Sequence, residues 1–194
     1  MRFLRFALML TLVIILIGCG ASKQQTGITP KATQDTMEAI PGWYLNPPED
    51  PNFIIATGTA TSRDLQLARD KAGDAARMDI AKTIETKFNG LSKRFQEEVG
   101  TGDDAQYLDM FTQATKAVVS TVLSGATIDK TEVKNEQGTF RVYVLMKMPI
   151  GASSEALMSK IKQQEQLYTR FRASETFKDL DAEVQKFDEW KKGE

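Results

Sequence analysis

The most informative segment for the architecture is Phe53–Phe88, which reads FIIATGTATSRDLQLARDKAGDAARMDIAKTIETKF. Its first part, Phe53–Ala60, consists of β-branched, aromatic and small residues, which is typical of a buried strand. A long helix is expected next, because Thr61 or Ser62 suits the capping position and Asp64 suits a first helical turn. The stretch therefore predicts a strand that turns directly into a helix.

This helix carries one apolar stripe, with a hydrophobic or small residue at every fourth position. The stripe consists of Ala68, Ala72, Ala76, Ile80, Ile84 and Phe88. Because the stripe begins with alanines, we expect the helix and the sheet to approach closely. Leu91, Phe95 and Val99 continue the same phase, so the helix is expected to run through Asn89-Gly90.

A second helix is predicted from about Asp103 to Leu123, after Gly100-Thr101-Gly102. Two further segments, residues 126–134 and 139–148, predict a β-hairpin around the turn NEQG. The expected fold class is α+β, with a small three- to four-stranded antiparallel or mixed sheet backed by a long helical hairpin. This domain is assigned to residues 41–150.

The last strand of this domain has two different faces, since side chains alternate along a strand. One face is apolar, and the other carries Arg141, Tyr143, Leu145 and Lys147. Trp43 and Tyr44, in the proline-rich segment before the first strand, have two interpretations. They either fold back on the core or form an exposed binding patch together with Tyr143 and Leu145.

Residues 151–194 are predicted to form a C-terminal helical extension. Near its end, Phe177, Leu180, Val184 and Phe187 follow a spacing similar to that of a coiled coil. Two interpretations stay open at this point. The helix lies on its own domain, or it uses Leu180, Val184 and Phe187 for self-association or partner binding.

Residues 1–18 have the layout of a secretory signal peptide, with basic residues before an apolar run. That run, Phe6–Gly18, is shorter than the roughly 20 residues of a membrane-spanning helix. Leu16-Ile17-Gly18-Cys19 resembles the lipobox of bacterial lipoproteins, where the peptide is cut before a cysteine that carries a diacylglyceryl group. We therefore expect Cys19 to be a lipid anchor, with residues 19–40 as its flexible tether.

The composition excludes several kinds of site. The chain has no histidine and a single cysteine, Cys19, which rules out histidine-based nucleophile systems and disulfides within the chain. A net charge of −1 supplies no basic field for nucleic acid. Asp70, Asp74 and Glu85 alternate with basic residues, as on a solvated helix face. We therefore predict no catalytic residues, no metal site and no cofactor, and we do not expect an enzyme.

Several short motifs together resemble the LPP-twenty family of bacterial lipoproteins. They are the lipobox, the pattern Pro41-x-Trp43-x-x-x-Pro47, the strand motif ATG at Ala56–Gly58, the helix motif ARDKAGDAAR at Ala68–Arg77 and the closing strand FRVYVLMKM. The resemblance covers about residues 41–148 and the signal peptide. It implies a small α+β domain without catalytic residues and, for some relatives, a place in the basal disc around the flagellar motor.

These features predict a lipid-anchored outer-membrane lipoprotein on the periplasmic face, because Gly20 after the cysteine resembles the outer-membrane default. The expected function is that of a structural or interaction module in an envelope assembly, with a possible link to motility. Its expected partners are the membrane and either further copies of the chain or other envelope proteins. The alternative is a periplasmic adaptor that binds a ligand or peptide without catalysis.

Overall fold

A strand, two long helices and a β-hairpin follow one another before the chain ends in three more helices. The computed structural model describes residues 40–100 and 104–193. In that part of the chain the elements are α1 (Gly42–Leu45), β1 (Phe53–Ser62), α2 (Leu65–Val99), α3 (Ala105–Val122), β2 (Thr127–Glu136), β3 (Thr139–Pro149), α4 (Ile150–Lys162), α5 (Glu165–Phe171) and α6 (Glu175–Gly193). The prediction of an α+β fold is confirmed.

The three strands form one antiparallel sheet in the order β1-β3-β2. β3 is the central strand, and its pairing with β2 contains one irregularity, between Ile128 and Lys130. Gln137 and Gly138 join β2 to β3, and both have positive φ angles, 51° and 84°, as tight hairpin turns require. β1 and β2 are consequently the two edges of this sheet.

α2 packs on the sheet through the predicted stripe, whose members from Ala68 to Phe88 are all buried. The closest approach is at Gly58 in β1, opposite the alanines at the start of the stripe. A Cβ atom at Gly58 would lie 2.1 Å from the carbonyl oxygen of Ala72 and 2.7 Å from the backbone nitrogen of Ala76. Only glycine therefore fits this position without displacing the helix.

The start of α2 differs from the expected one. Asp64 is the capping residue, and its Oδ1 accepts a hydrogen bond of 2.8 Å from the backbone N–H of Leu67. Thr61 and Ser62, the predicted caps, still belong to β1. Because the strand is two residues longer than predicted, the capping position moves to the aspartate.

α3 packs against α2 and gives the expected helical hairpin. The far end of α2 is held by aromatic contacts rather than by the sheet. The rings of Phe95, Phe111 and Phe171, from α2, α3 and α5, lie with their centroids 5.2 or 5.3 Å apart. This cluster joins the hairpin to the C-terminal helices.

The C-terminal region consists of three helices that share the core of the domain. α4 begins at Ile150, directly after β3 and one residue before the extension predicted over residues 151–194. One break, between Lys162 and Glu165, separates α4 from α5, and a second, between Phe171 and Glu175, separates α5 from α6. Five apolar side chains of these helices are completely buried: Leu157, Ile161, Leu167, Phe171 and Leu180.

Candidate functional site

The predicted anchor lies outside the described residues, and so does most of the tether. This applies to Leu16, Ile17, Gly18 and Cys19. Within residues 40–100 and 104–193, no helix combines the length and the apolar character needed to cross a bilayer. Lipidation of Cys19 therefore stays a prediction.

On the face of the sheet that points away from α2, the central strand β3 is covered by the chain itself. α1 lies against β3, and the ring of Tyr44 meets that of Tyr143 edge to face, with 5.0 Å between the centroids. Tyr143 is 5% exposed and Leu145 is 1% exposed, while Trp43 and Tyr44 are half-buried. Burial also raises the pKa of the Tyr143 phenol.

The structure therefore agrees with the first interpretation, in which the segment folds back on the domain, and Tyr143 and Leu145 are not open to a partner. The alternation of side chains assigned the correct face, but it could not show what covers that face. The segment is rich in proline, yet the chain makes a single helical turn after Pro41. This turn places Tyr44 against Tyr143 of β3, and Trp43 contacts Tyr44.

α6 is docked on its own domain, in agreement with the first of the two interpretations. Leu180 has no exposed surface, so a partner cannot reach it in this fold. Val184 packs against the core, and Phe187 stacks on Trp190 at 5.6 Å with 14° between the ring planes. Trp190 in turn meets Phe53 of β1 at 5.6 Å. The residues predicted for self-association thus stabilise the monomer.

A polar cluster joins α2, α4 and α6, and the sequence analysis did not identify it. Lys87 Nζ lies 2.9 Å from Ser154 Oγ and 2.5 Å from Glu183 Oε2, and the Ser154 hydroxyl donates to the same carboxylate at 2.6 Å. A serine beside a lysine occurs in some nucleophilic enzymes. Here Ser154 has no exposed surface, and Lys87 is ion-paired. The geometry fits a link between helices.

A second cluster holds the start of α6. The carboxylate of Glu98, in the last turn of α2, accepts hydrogen bonds from the backbone N–H groups of Glu175 (2.6 Å) and Thr176 (3.0 Å) and from the Thr176 hydroxyl. Desolvation alone would raise the pKa of Glu98, but these hydrogen bonds outweigh it and hold the pKa below its usual value. Glu98 therefore caps a helix that lies far away in the sequence.

The acidic residues considered for catalysis do not converge. Asp70 accepts a hydrogen bond from Gln66, Asp74 pairs with Arg77 in the next turn, and Glu85 lies on the exposed surface of α2. In the described part of the chain, no group of three or more acidic or thiol side chains is arranged to hold a metal ion. The contacts of Asp70 and Asp74 are those of an ordinary solvated helix face.

β2 is the most exposed element of the sheet, with eight of its ten residues on the surface. Its second long edge has no neighbouring strand among residues 40–100 and 104–193. Two apolar side chains on this strand are open to solvent: Ile128 is 38% exposed and Val133 is 43% exposed. An edge of this kind presents free backbone N–H and C=O groups to another strand.

Charges of alternating sign follow β2 along the face turned away from α2. They are Lys130, Glu132, Lys134 and Glu136. Within the chain, Lys134 pairs with Glu132 at 2.5 Å and Arg141 pairs with Glu136 at 2.7 Å. The latter contact, through its hydrogen bond, lowers the pKa of Glu136 and raises that of Arg141. All of these side chains are at least a third exposed, so β2 is the candidate interaction surface.

Comparison with known proteins adds no relative to this picture. A scan of the sequence against protein-family models finds no match, and a search of curated proteins also finds none.

Proposed function

We propose that this protein is a lipid-anchored envelope lipoprotein whose folded domain is a structural and interaction module. The anchoring part rests on Leu16-Ile17-Gly18-Cys19, which follows directly on an apolar run and contains the only cysteine of the chain. Two or more acyl chains would hold such a protein stably at a bilayer, whereas one chain alone is marginal.

The observation that carries the interaction part is the exposed edge of β2. The buried hydroxyls of Ser154 and Thr176 are engaged within the domain, with the carboxylates of Glu183 and Glu98. On the face considered for ligand binding, Tyr143 is covered by Tyr44, which Trp43 contacts in turn. β2, in contrast, exposes its backbone edge, Ile128 and Val133. Binding to another protein is therefore better supported than catalysis or capture of a small ligand.

The outer membrane is the location we propose, with the domain on the periplasmic side. Gly20 follows the predicted lipid cysteine, which resembles the pattern of lipoproteins sent to that membrane. The motifs between Pro41 and Met148 resemble the LPP-twenty family and support a role in an envelope assembly. A link to the flagellar motor is part of the same proposal and depends on that resemblance alone.

The anchor is tested by expressing the full chain and its Cys19→Ser variant in a bacterium that processes lipoproteins. The native chain should incorporate labelled palmitate, lose residues 1–18 and float with the outer membrane. The Cys19→Ser chain should keep its full-length mass and stay unlabelled. A Ser22→Ala variant, which changes a neighbouring hydroxyl, should behave like the native chain. An unlabelled native chain, or a labelled Cys19→Ser chain, would overturn the proposal.

A further inference from the structure

We propose that two copies of this chain pair through β2, antiparallel and centred on Val133. The result is a continuous six-stranded sheet with a twofold axis at that residue. This inference deepens the proposed function, because it names the partner and the surface of the interaction module. The geometry of the β2 pairing does not depend on lipidation.

The backbone of β2 is oriented for this pairing. In antiparallel ladders, pairs that exchange two hydrogen bonds alternate with pairs that exchange none. Glu136 and Thr139 flank the two-residue turn and form a hydrogen-bonded pair. Thr131, Val133 and Asn135 lie in the alternate positions, so their N–H and C=O groups point away from β3. These are the groups that a second strand would bind.

One register places each of the four alternating charges opposite a charge of the other sign. If Val133 lies opposite Val133 of the second copy, Lys130 lies opposite Glu136 and Glu132 lies opposite Lys134. By symmetry each of these pairs occurs twice, and all of them join opposite charges. Directly opposed side chains of opposite charge stabilise a pair of strands. On the other face, Val133 meets its own copy and Thr131 meets Asn135.

The neighbouring registers are unfavourable. A shift by two residues in one direction places Glu132 opposite Glu132 and Lys130 opposite Lys134. A shift in the other direction places Lys134 opposite Lys134 and Glu132 opposite Glu136. Like charges directly opposite each other destabilise strand pairing. Charges on an edge strand commonly prevent pairing, but the alternation on β2 disfavours the two adjacent registers and favours the one centred on Val133.

The pairing also covers apolar surface that the monomer leaves open. Val133, which is 43% exposed, would contact its own copy across the axis. A single pair of strands buries less than the roughly 1,000 Å² expected of a stable interface in solution. Confinement to a membrane raises the effective concentration of the partners, as linking does. The dimer is therefore expected on the membrane and is weak in dilute solution.

A disulfide test reads the register directly in the full chain. Val133→Cys should form a disulfide-linked dimer under mild oxidation in cells, because paired residues lie within the Cα distance of a disulfide. Thr131→Cys is the matched control. It lies on the same strand and face, but its own copy would be about 14 Å away at 3.4 Å per residue. The native chain, with Cys19 alone, should give no dimer.

A charge exchange between two tagged copies provides a second test. Lys130→Glu alone creates two like-charge pairs in the dimer, and so does Glu136→Lys alone. Each should reduce the Val133→Cys cross-link roughly tenfold. When the two variants are expressed together, every opposed pair again joins opposite charges, and a cross-link between the two tags should return. Circular dichroism of each variant checks that it is folded.

The outcomes separate this inference from the proposed function. A folded Val133→Cys chain that is acylated but gives no cross-link overturns the β2 pairing and leaves the lipoprotein proposal intact. Equal cross-linking of Thr131→Cys and Val133→Cys overturns the register. Failure of the two charge variants to restore the cross-link together overturns the charge argument. A cross-link of Val133→Cys but not of Thr131→Cys, in a chain that is not acylated, supports the pairing and overturns only the proposal that Cys19 is lipidated.

Discussion

Gly58 lies so close to Ala72 that the backbones of β1 and α2 are in direct contact. The space at Gly58 holds only a hydrogen atom, because an added Cβ atom would lie 2.1 Å from the Ala72 carbonyl oxygen. A small contact of this kind sets the distance between the sheet and the long helix. It also brings the isoleucines further along α2 into the core.

Gly58→Ala should therefore destabilise the domain by about 1–3 kcal/mol or more, because the obstructing atoms belong to the backbone and cannot move aside alone. Urea unfolding followed by circular dichroism measures the change. Gly90→Ala is the control, since Gly90 is exposed in the middle of α2 with nothing within 4 Å of its added Cβ. That variant should gain about 0.5–1 kcal/mol. Equal effects of the two would contradict the close contact.

Glu98→Gln should lower the free energy of unfolding by about 1 kcal/mol at neutral pH. The amide replaces one of the two oxygens that accept from the N–H groups of Glu175 and Thr176 with a donor. The lowered pKa of Glu98 supplies stability that is fully present above the usual value of 4.5 and is lost as pH falls through the folded-state value. The native chain and the variant should therefore converge in acid. Glu97→Gln, beside it on the exposed surface, should change stability little at either pH. A difference between native chain and Glu98→Gln that persists in acid would exclude the cap as its cause.

Lys87 and Glu183 should be energetically coupled. Their side chains are 24% and 42% exposed, so solvent screens the pair only in part. A double-mutant cycle with Lys87→Met and Glu183→Gln should give a coupling of about 1 kcal/mol. The exposed pair Lys82 and Asp79, 65% and 55% exposed, should give less than about 0.5 kcal/mol in the same measurement. Equal couplings would mean that the cluster with Ser154 adds nothing.

Leu180→Ala should act on stability and not on association. Because Leu180 is completely buried, the loss should be about 2–5 kcal/mol in urea unfolding. Leu67→Ala, at a residue that is 46% exposed, should cost less than about 0.5 kcal/mol. The Val133→Cys cross-link should persist in Leu180→Ala under conditions where that variant stays folded. Loss of the cross-link with little loss of stability would indicate that Leu180 takes part in the interface.

The parts of the fold that could be predicted from the sequence are those governed by local periodicity. The spacing of four residues between apolar positions from Ala68 to Phe88 identified the buried face of α2. The alternation of side chains in β3 identified the two faces of that strand. What covers a face depends on distant parts of the chain, which is why the two interpretations of Trp43 and Tyr44 stayed open in the sequence. The role of Glu98 could not be predicted for the same reason, because its hydrogen-bond partner Thr176 belongs to α6. The spacing of apolar residues predicted that Leu180 packs against another surface, but it did not show which surface.

The strand order β1-β3-β2 has a consequence for the time course of folding. β2 and β3 are adjacent in the chain and can pair early, whereas β1 must wait for β3, with the whole helical hairpin between them. Contacts of such high sequence separation form slowly, because a long loop has to close first. In stopped-flow refolding, the helical signal should therefore recover before the ring contact between Phe53 and Trp190 quenches or shifts tryptophan emission. Among the described elements, β1 would then be the last to reach its place.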